Sequence, residues 1–182
     1  MKRVQLFYRD LSEIVGSDGC SVVRLTDESG LSAISVICDK PMTEQLTIRS
    51  QRLPGHKQML PEVLVGMLLA DDDVTEFEMM VSDVSDGQYC VTLLNRRKQI
   101  SRPIRMSDAV LLNVISRIPL YIDENLMRRQ CTPYDPEIRG ISIPINIIDE
   151  KRLNQELKRA IEVEDYRLAS YIHEEILRRG RK

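Results

Sequence analysis

Residues 104–123 read "IRMSDAVLLNVISRIPLYID", which sets Arg105, Ser107 and Asp108 directly ahead of an apolar run that stops before Pro119. Such a cluster can serve two physical ends. A helix start offers unpaired backbone N–H groups and the positive end of the helix dipole, and an adjacent arginine can grip a phosphate with two parallel hydrogen bonds. Equally, Ser107 can cap a helix that begins at Asp108, whose charge favours the same end, while Arg105 pairs with Asp108 or another acid. Phosphate site and structural cap are compatible readings, and both remain open.

Other chemistry-bearing residues point less sharply. Asp71-Asp72-Asp73 resembles a set of metal ligands, but successive side chains diverge and like charges prefer water, so a solvated loop is expected. Arg96-Arg97-Lys98 reads as a solvated turn rather than a phosphate grip. Cys20, Cys38, Cys90 and Cys131 contain no C-x-x-C pair and read as free, buried thiols. His56 and His173, the only histidines, have no local partner that would make a triad or a histidine-rich metal site. Any metal must then be held by carboxylates, and no organic cofactor is expected.

The composition narrows the classes. A chain of 182 residues with 42% hydrophobic content can bury a real core. Nothing approaches the ~18 apolar residues of a membrane span, and the basic start "MKRVQLFYRD" lacks the apolar stretch of a signal peptide. A cytoplasmic protein with no membrane partner is expected. The net charge is −2, unevenly spread: from Lys151 onward nine basic residues face six acidic ones, against 17 and 22 in the rest. The tail can touch phosphate, whereas the body would need a local patch.

The elements that must position these residues follow from periodicity. "VQLFYRDL" alternates as an opening strand, and "SVVRLTDESGLSAISVICD" is a hairpin turning at Asp27 to Gly30. A short helix is expected over Thr43 to Arg52, and a second, mostly buried one from Pro61-Glu62 through "PEVLVGMLLA". Asp86-Gly87 marks a hairpin between "EFEMMVSDV" and "QYCVTLLN". The helix after Ser107 ends where Pro119 forces extension, and "PLYID" resumes as a strand. The expected fold is α+β: a mixed, largely antiparallel sheet with packed helices, plus a C-terminal helical hairpin.

Three segments emerge: residues 1–131, an α+β domain; 132–150, a Pro/Ile-rich connector; and 151–182, the hairpin. In the connector Ile141, Ile143, Ile145 and Ile147 alternate, and Pro144 restricts them to an edge strand or bulge. The hairpin carries Leu153, Leu157, Ala160 and Ile161 on one helical face. After a break near Glu164-Asp165, Tyr166, Ala169, Ile172 and Ile176 form another, with Leu177 beside it. Two such short helices cannot bury both stripes alone, so a partner surface is expected at Leu157, Ile161, Tyr166, Ala169, Ile172 and Ile176.

The body resembles the bifunctional nuclease family, whose motif runs approximately D-A-R-P-S-D-A, then an apolar helix, then P-I-Y-V. Arg105, Ser107, Asp108, Ala109, Pro119 and Tyr121 match it, with Met106 in place of the proline. Glu44 and the strand "SDGQYCVTLL" add diffuse matches. The resemblance implies phosphodiester hydrolysis of DNA or RNA with Mg²⁺ or Mn²⁺. It assigns Asp108, Glu44 and Glu62 as metal ligands or bases, and Arg105 with Ser107 as the phosphate site. A second family motif, near R-P-x-T-H-D-L, falls on "KQMLPEVL". There Leu60 and Pro61 replace threonine and histidine, and only Glu62 keeps the acid. Proline and leucine cannot move a proton.

The last 32 residues resemble the UVR motif, a helical hairpin of nucleotide-excision-repair subunits and protease regulators, through Leu157, Ala160, Ile161, Asp165-Tyr166, Ala169 and Glu175-Ile176. That resemblance implies protein association. Two functions are thus expected in competition: a metal-dependent nuclease, weak or degenerate, and a noncatalytic homo-oligomeric adaptor that recruits a protein partner through its hairpin. A simple nucleic-acid binder fits less well, with two Phe and no Trp for base stacking.

Overall fold

The computed structural model describes residues 2–14, 19–70, 72–85, 87–134, 150–162, 164 and 166–179. Two compact units emerge, Met1–Asp83 with Cys90–Ile141, and Val84–Tyr89 with Ser142–Lys182. The fold is α+β, as the alternation of strand and helix periods requires.

The opening strand β1 (Arg3–Glu13) pairs antiparallel with β2 (Ser21–Thr26), and β2 with β3 (Ser32–Cys38), in the expected hairpin. Gly30, at φ 71°, closes the turn, where a left-handed backbone favours glycine. Helix α1 (Lys40–Ser50) starts earlier than its apolar residues suggest, because Asp39 caps it by accepting from the Met42 N–H at 2.9 Å. Next comes α2 (Leu60–Leu68), then β4 (Phe77–Ser85) and β5 (Gln88–Asn95), neighbours in the sheet.

Strand β6 (Ile100–Ile104) pairs antiparallel with β5, and its extended chain runs directly into α3 (Met106–Ser116). Strand β7 (Leu120–Asp123) lies between β4, to which it is parallel, and β1, to which it is antiparallel. Helix α4 (Glu124–Gln130) follows at once, capped by Asp123, which accepts from the Asn125 and Leu126 N–H groups at 3.0 Å each. A two-residue edge strand, β8 (Thr132–Pro133), closes against β3. Sheet order among the described residues is β6-β5-β4-β7-β1-β2-β3-β8.

Leu6, Leu46, Met79, Val81, Leu120 and Ile122 are buried in the core, each contributing ~1.5–3 kcal/mol of transfer free energy. Helices α1 and α3 pack on one another and on the sheet, and α2 packs on α3. The expectation of a mostly buried α2 is overturned. Leu60 is 69% exposed and Met67 70%, with Val63, Leu64 and Leu68 also exposed. A helix apolar all round normally lies in a core, but here only Pro61, Glu62, Val65 and Leu69 along it are half-buried.

In the second unit, α5 (Glu150–Glu162) packs on α6 (Tyr166–Arg179) as the expected hairpin, with Glu164 in a left-handed turn. Leu153, Ala160, Ala169 and Ile172 are buried, and Leu157 and Ile176 are half-buried. The alternating isoleucines expected as an edge strand lie outside the described residues, as do Asp71, Asp86 and Asp165. No helix among the described residues is long and apolar enough to cross a membrane.

Candidate functional site

Ser107 does not cap α3. The chain stays extended from β6 through Arg105, at φ −65° and ψ 146°, and the first helical bond runs from the Ala109 N–H to the Arg105 carbonyl at 2.9 Å. Ser107 therefore sits inside the first turn, past the only position from which its hydroxyl could cap. Asp108 lies one turn in and is gripped from below. Arg105 donates from Nε to Oδ2 at 2.6 Å and from Nη2 to Oδ1 at 3.0 Å, an exposed two-point pair.

The start of α3 lies close to the end of β3 and the start of α1. The hydrogen bond and charge of Asp108 push the Arg105 guanidinium up, and the Asp39 charge adds to this. Cys38 belongs to the same neighbourhood. Its thiol is pushed up to about 12, first by burial and then by Asp39, Asp108 and Cys20. The cluster is thus Arg105 with Asp108, plus Asp39 occupied as a cap and a protonated Cys38.

Glu62 is engaged elsewhere. Arg49 donates from Nε to Oε1 at 2.8 Å and from Nη2 to Oε2 at 2.7 Å, and Nη1 reaches the Gln45 carbonyl and side chain. Glu44 stands exposed on α1. Among the described residues no group of three or more His, Cys, Asp or Glu is placed to hold a metal ion. A divalent cation at Glu62 or Asp108 would first have to displace a two-point arginine.

Asp72 of the acidic triplet and the basic turn, both expected in water, instead meet. The Asp72 side chain is fully buried and accepts from Asn95 Nδ2 at 3.2 Å, Arg97 Nη1 at 3.1 Å and Lys98 Nζ. Asp73 caps the 3-10 turn Val74–Glu76 by accepting from the Thr75 N–H at 2.8 Å. Cys20, Cys90 and Cys131 are not buried thiols either, Cys90 being exposed and the other two half-exposed.

Sequence reasoning missed Arg52 and Arg117. Helices α1 and α3 both end in Arg-apolar-Pro, "RLP" at 52–54 and "RIP" at 117–119. Each arginine takes the left-handed conformation that commonly ends a helix, φ 52° and 64°, and the proline two residues on keeps the next residue extended. Both line a cleft of about 500 Å³ together with Arg49, Ser50, Asn113 and Gln5. The repeated tripeptide was the signal that could have found it.

Of the six apolar hairpin residues expected to meet a partner, Ala169 and Ile172 are buried, and Leu157 and Ile176 half-buried. Ile161 (53% exposed) and Tyr166 (68%) present surface, joined by Leu177. Helices α5 and α6 pack on one another, and the two of these six that flank the turn, Ile161 and Tyr166, stay in solvent. No protein-family model matches this chain, and no curated protein matches it.

Proposed function

We propose that the chain is a noncatalytic, self-associating adaptor that recruits a protein partner through its C-terminal helical hairpin. The observation that carries this reading is the surface of the hairpin: Ile161, Tyr166 and Leu177 stand exposed on two helices whose remaining described apolar residues are already buried or half-buried. Large apolar groups left in water on an ordered element mark association surfaces. The resemblance of this segment to the UVR motif points the same way. A phenol and an isoleucine offer contact area with few rotors to freeze.

The nuclease reading asks more of the residues. Asp108 and Glu62 would each have to leave an arginine to hold Mg²⁺ or Mn²⁺, and the Thr-His pair of the resembling family is replaced by Leu60 and Pro61. One observation favours keeping nucleic acid as a second reading. The cleft lined by Arg52 and Arg117 offers phosphate-binding chemistry.

Affinity purification with the full chain tests the adaptor reading. Wild type is expected to retain a defined partner that the Ile161→Asp/Tyr166→Asp variant loses while keeping its circular dichroism. Identical recovery by both proteins overturns hairpin recruitment. In parallel, single-stranded and duplex oligonucleotides with Mg²⁺ or Mn²⁺ are expected to remain intact. Metal-dependent cleavage that Asp108→Ala abolishes would establish the nuclease instead.

A further inference from the structure

We infer that the exposed face of α2 is the surface on which a second copy of this chain docks, with the two α2 helices antiparallel about a two-fold axis. Leu60, Val63, Leu64, Met67 and Leu68 stand at i, i+3, i+4, i+7 and i+8, the spacing of a single helical stripe, and all five are 39–70% exposed. The half-buried positions Pro61, Glu62, Val65 and Leu69 account for the opposite side, so the stripe faces away from the body. Gly66, beside the stripe, has nothing within 4 Å of where a Cβ would stand. Five large apolar side chains from one nine-residue helix form a surface that an isolated chain rarely keeps in water.

Charge says what covers it. The turn entering α2, His56–Gln58, packs against the helix and carries Lys57, and among the described residues the chain leaving it carries Asp72 and Asp73. Lys57 and Asp73 are exposed, whereas Asp72 is held within its own chain by Arg97 and Lys98. A second copy laid parallel would set like charges at both ends. Laid antiparallel, it sets the basic entry of each helix against the acidic exit of the other and opposes the two helix dipoles. An interface that contacts its own copy must be self-complementary about its centre. Here the centre of the stripe is Leu64, with Leu60 facing Leu68 of the other copy. One helix crossing lies below the ~1,600 Å² of a standard interface, so the dimer is expected to be weak and concentration-dependent.

This inference rests on the self-associating part of the adaptor reading, and its test is separable from that of the hairpin. Sedimentation of the full chain over a micromolar concentration series should show the 21.0 kDa monomer passing to a species of twice that mass. Leu64→Asp/Met67→Asp, which alters only exposed positions, should hold the protein monomeric with unchanged circular dichroism. Leu64→Cys should form a disulfide dimer with itself under mild oxidation, in excess of wild type. Leu60→Cys mixed with Leu68→Cys should cross-link more than either alone. A monomer at every concentration, or a dimer that Leu64→Asp/Met67→Asp leaves intact, overturns the inference. A dimer that dissociates in that variant but gives no Leu64→Cys cross-link overturns the antiparallel register. Partner recovery through the hairpin that persists in a monomeric chain leaves the recruitment reading standing by itself.

Discussion

Arg49 and Glu62 form a two-point ion pair between α1 and α2, with Nε to Oε1 at 2.8 Å, Nη2 to Oε2 at 2.7 Å, and the arginine side chain only 4% exposed. The pair anchors the inner side of α2 while its outer side remains in solvent. Glu62 therefore fastens α2 to α1. Glu62→Gln leaves a buried guanidinium half-satisfied and is expected to cost about 2–4 kcal/mol, near the lower part of the range for breaking a buried pair. Urea unfolding reads this as a lower midpoint at constant slope. Replacing both partners, Arg49→Met with Glu62→Leu, should recover much of the loss. An unchanged midpoint in Glu62→Gln would show that Gln45 alone satisfies Arg49.

Arg117 ends α3 at φ 64°, a conformation that costs an L residue energy and glycine none. Arg117→Gly is expected to raise stability by about 0.5–1 kcal/mol, a rise of roughly 1–4 °C in Tm for a chain of this size. If the cleft it lines takes phosphate, the same change should weaken binding of an oligonucleotide at low salt. Opposite signs for stability and binding would identify the arginine as kept for function. A fall in Tm would instead reveal a structural contact of its side chain.

How much of this was legible depends on what each residue needed. The hairpin at Asp27 to Gly30, the α5–α6 hairpin and β7 follow from local period and turn chemistry, and these held. Strand β6 and helix α4 escaped notice, because "ISRPI" contains a proline, tolerated where it lies in the last strand of the sheet, and "ENLMRRQ" spans barely two turns. The burial of Asp72 was illegible in principle. Its partners Asn95, Arg97 and Lys98 lie more than 20 residues away, and only the folded sheet brings them together. The exposure of α2 was illegible for the converse reason. Its composition calls for cover but carries no sign of whether the chain's own body supplies it.

Cys38 and Cys90 should react at very different rates. Cys38 is fully buried and its thiol is held near 12, while Cys90 is exposed on β5. Only thiolate is nucleophilic, so at pH 8 iodoacetamide should modify Cys90 in the native protein and reach Cys38 only on unfolding. Peptide mass mapping of the two states checks this. Native labelling of Cys38 would mean that the junction of β3, α1 and α3 opens on the labelling timescale.

Asp72 makes stability depend on acid pH. The hydrogen bond from Lys98, that from Asn95, and the charges of Lys98 and Arg97 outweigh burial and hold its carboxyl below the ordinary carboxylate range. The unfolded chain binds that proton near pH ~3.9, whereas the folded chain resists it to lower pH. Stability from this group is therefore fully present above the unfolded value and is lost as pH falls through the folded one. Asp72→Asn removes the charge at every pH. Its destabilisation relative to wild type should be constant from neutral pH down to roughly pH 5, then shrink as acid protonates Asp72 in the wild-type protein. Urea midpoints of the two proteins across that range measure the gap. A gap that stays constant below pH 3, or widens, would mean that the network stands on packing around Asn95 rather than on the carboxylate.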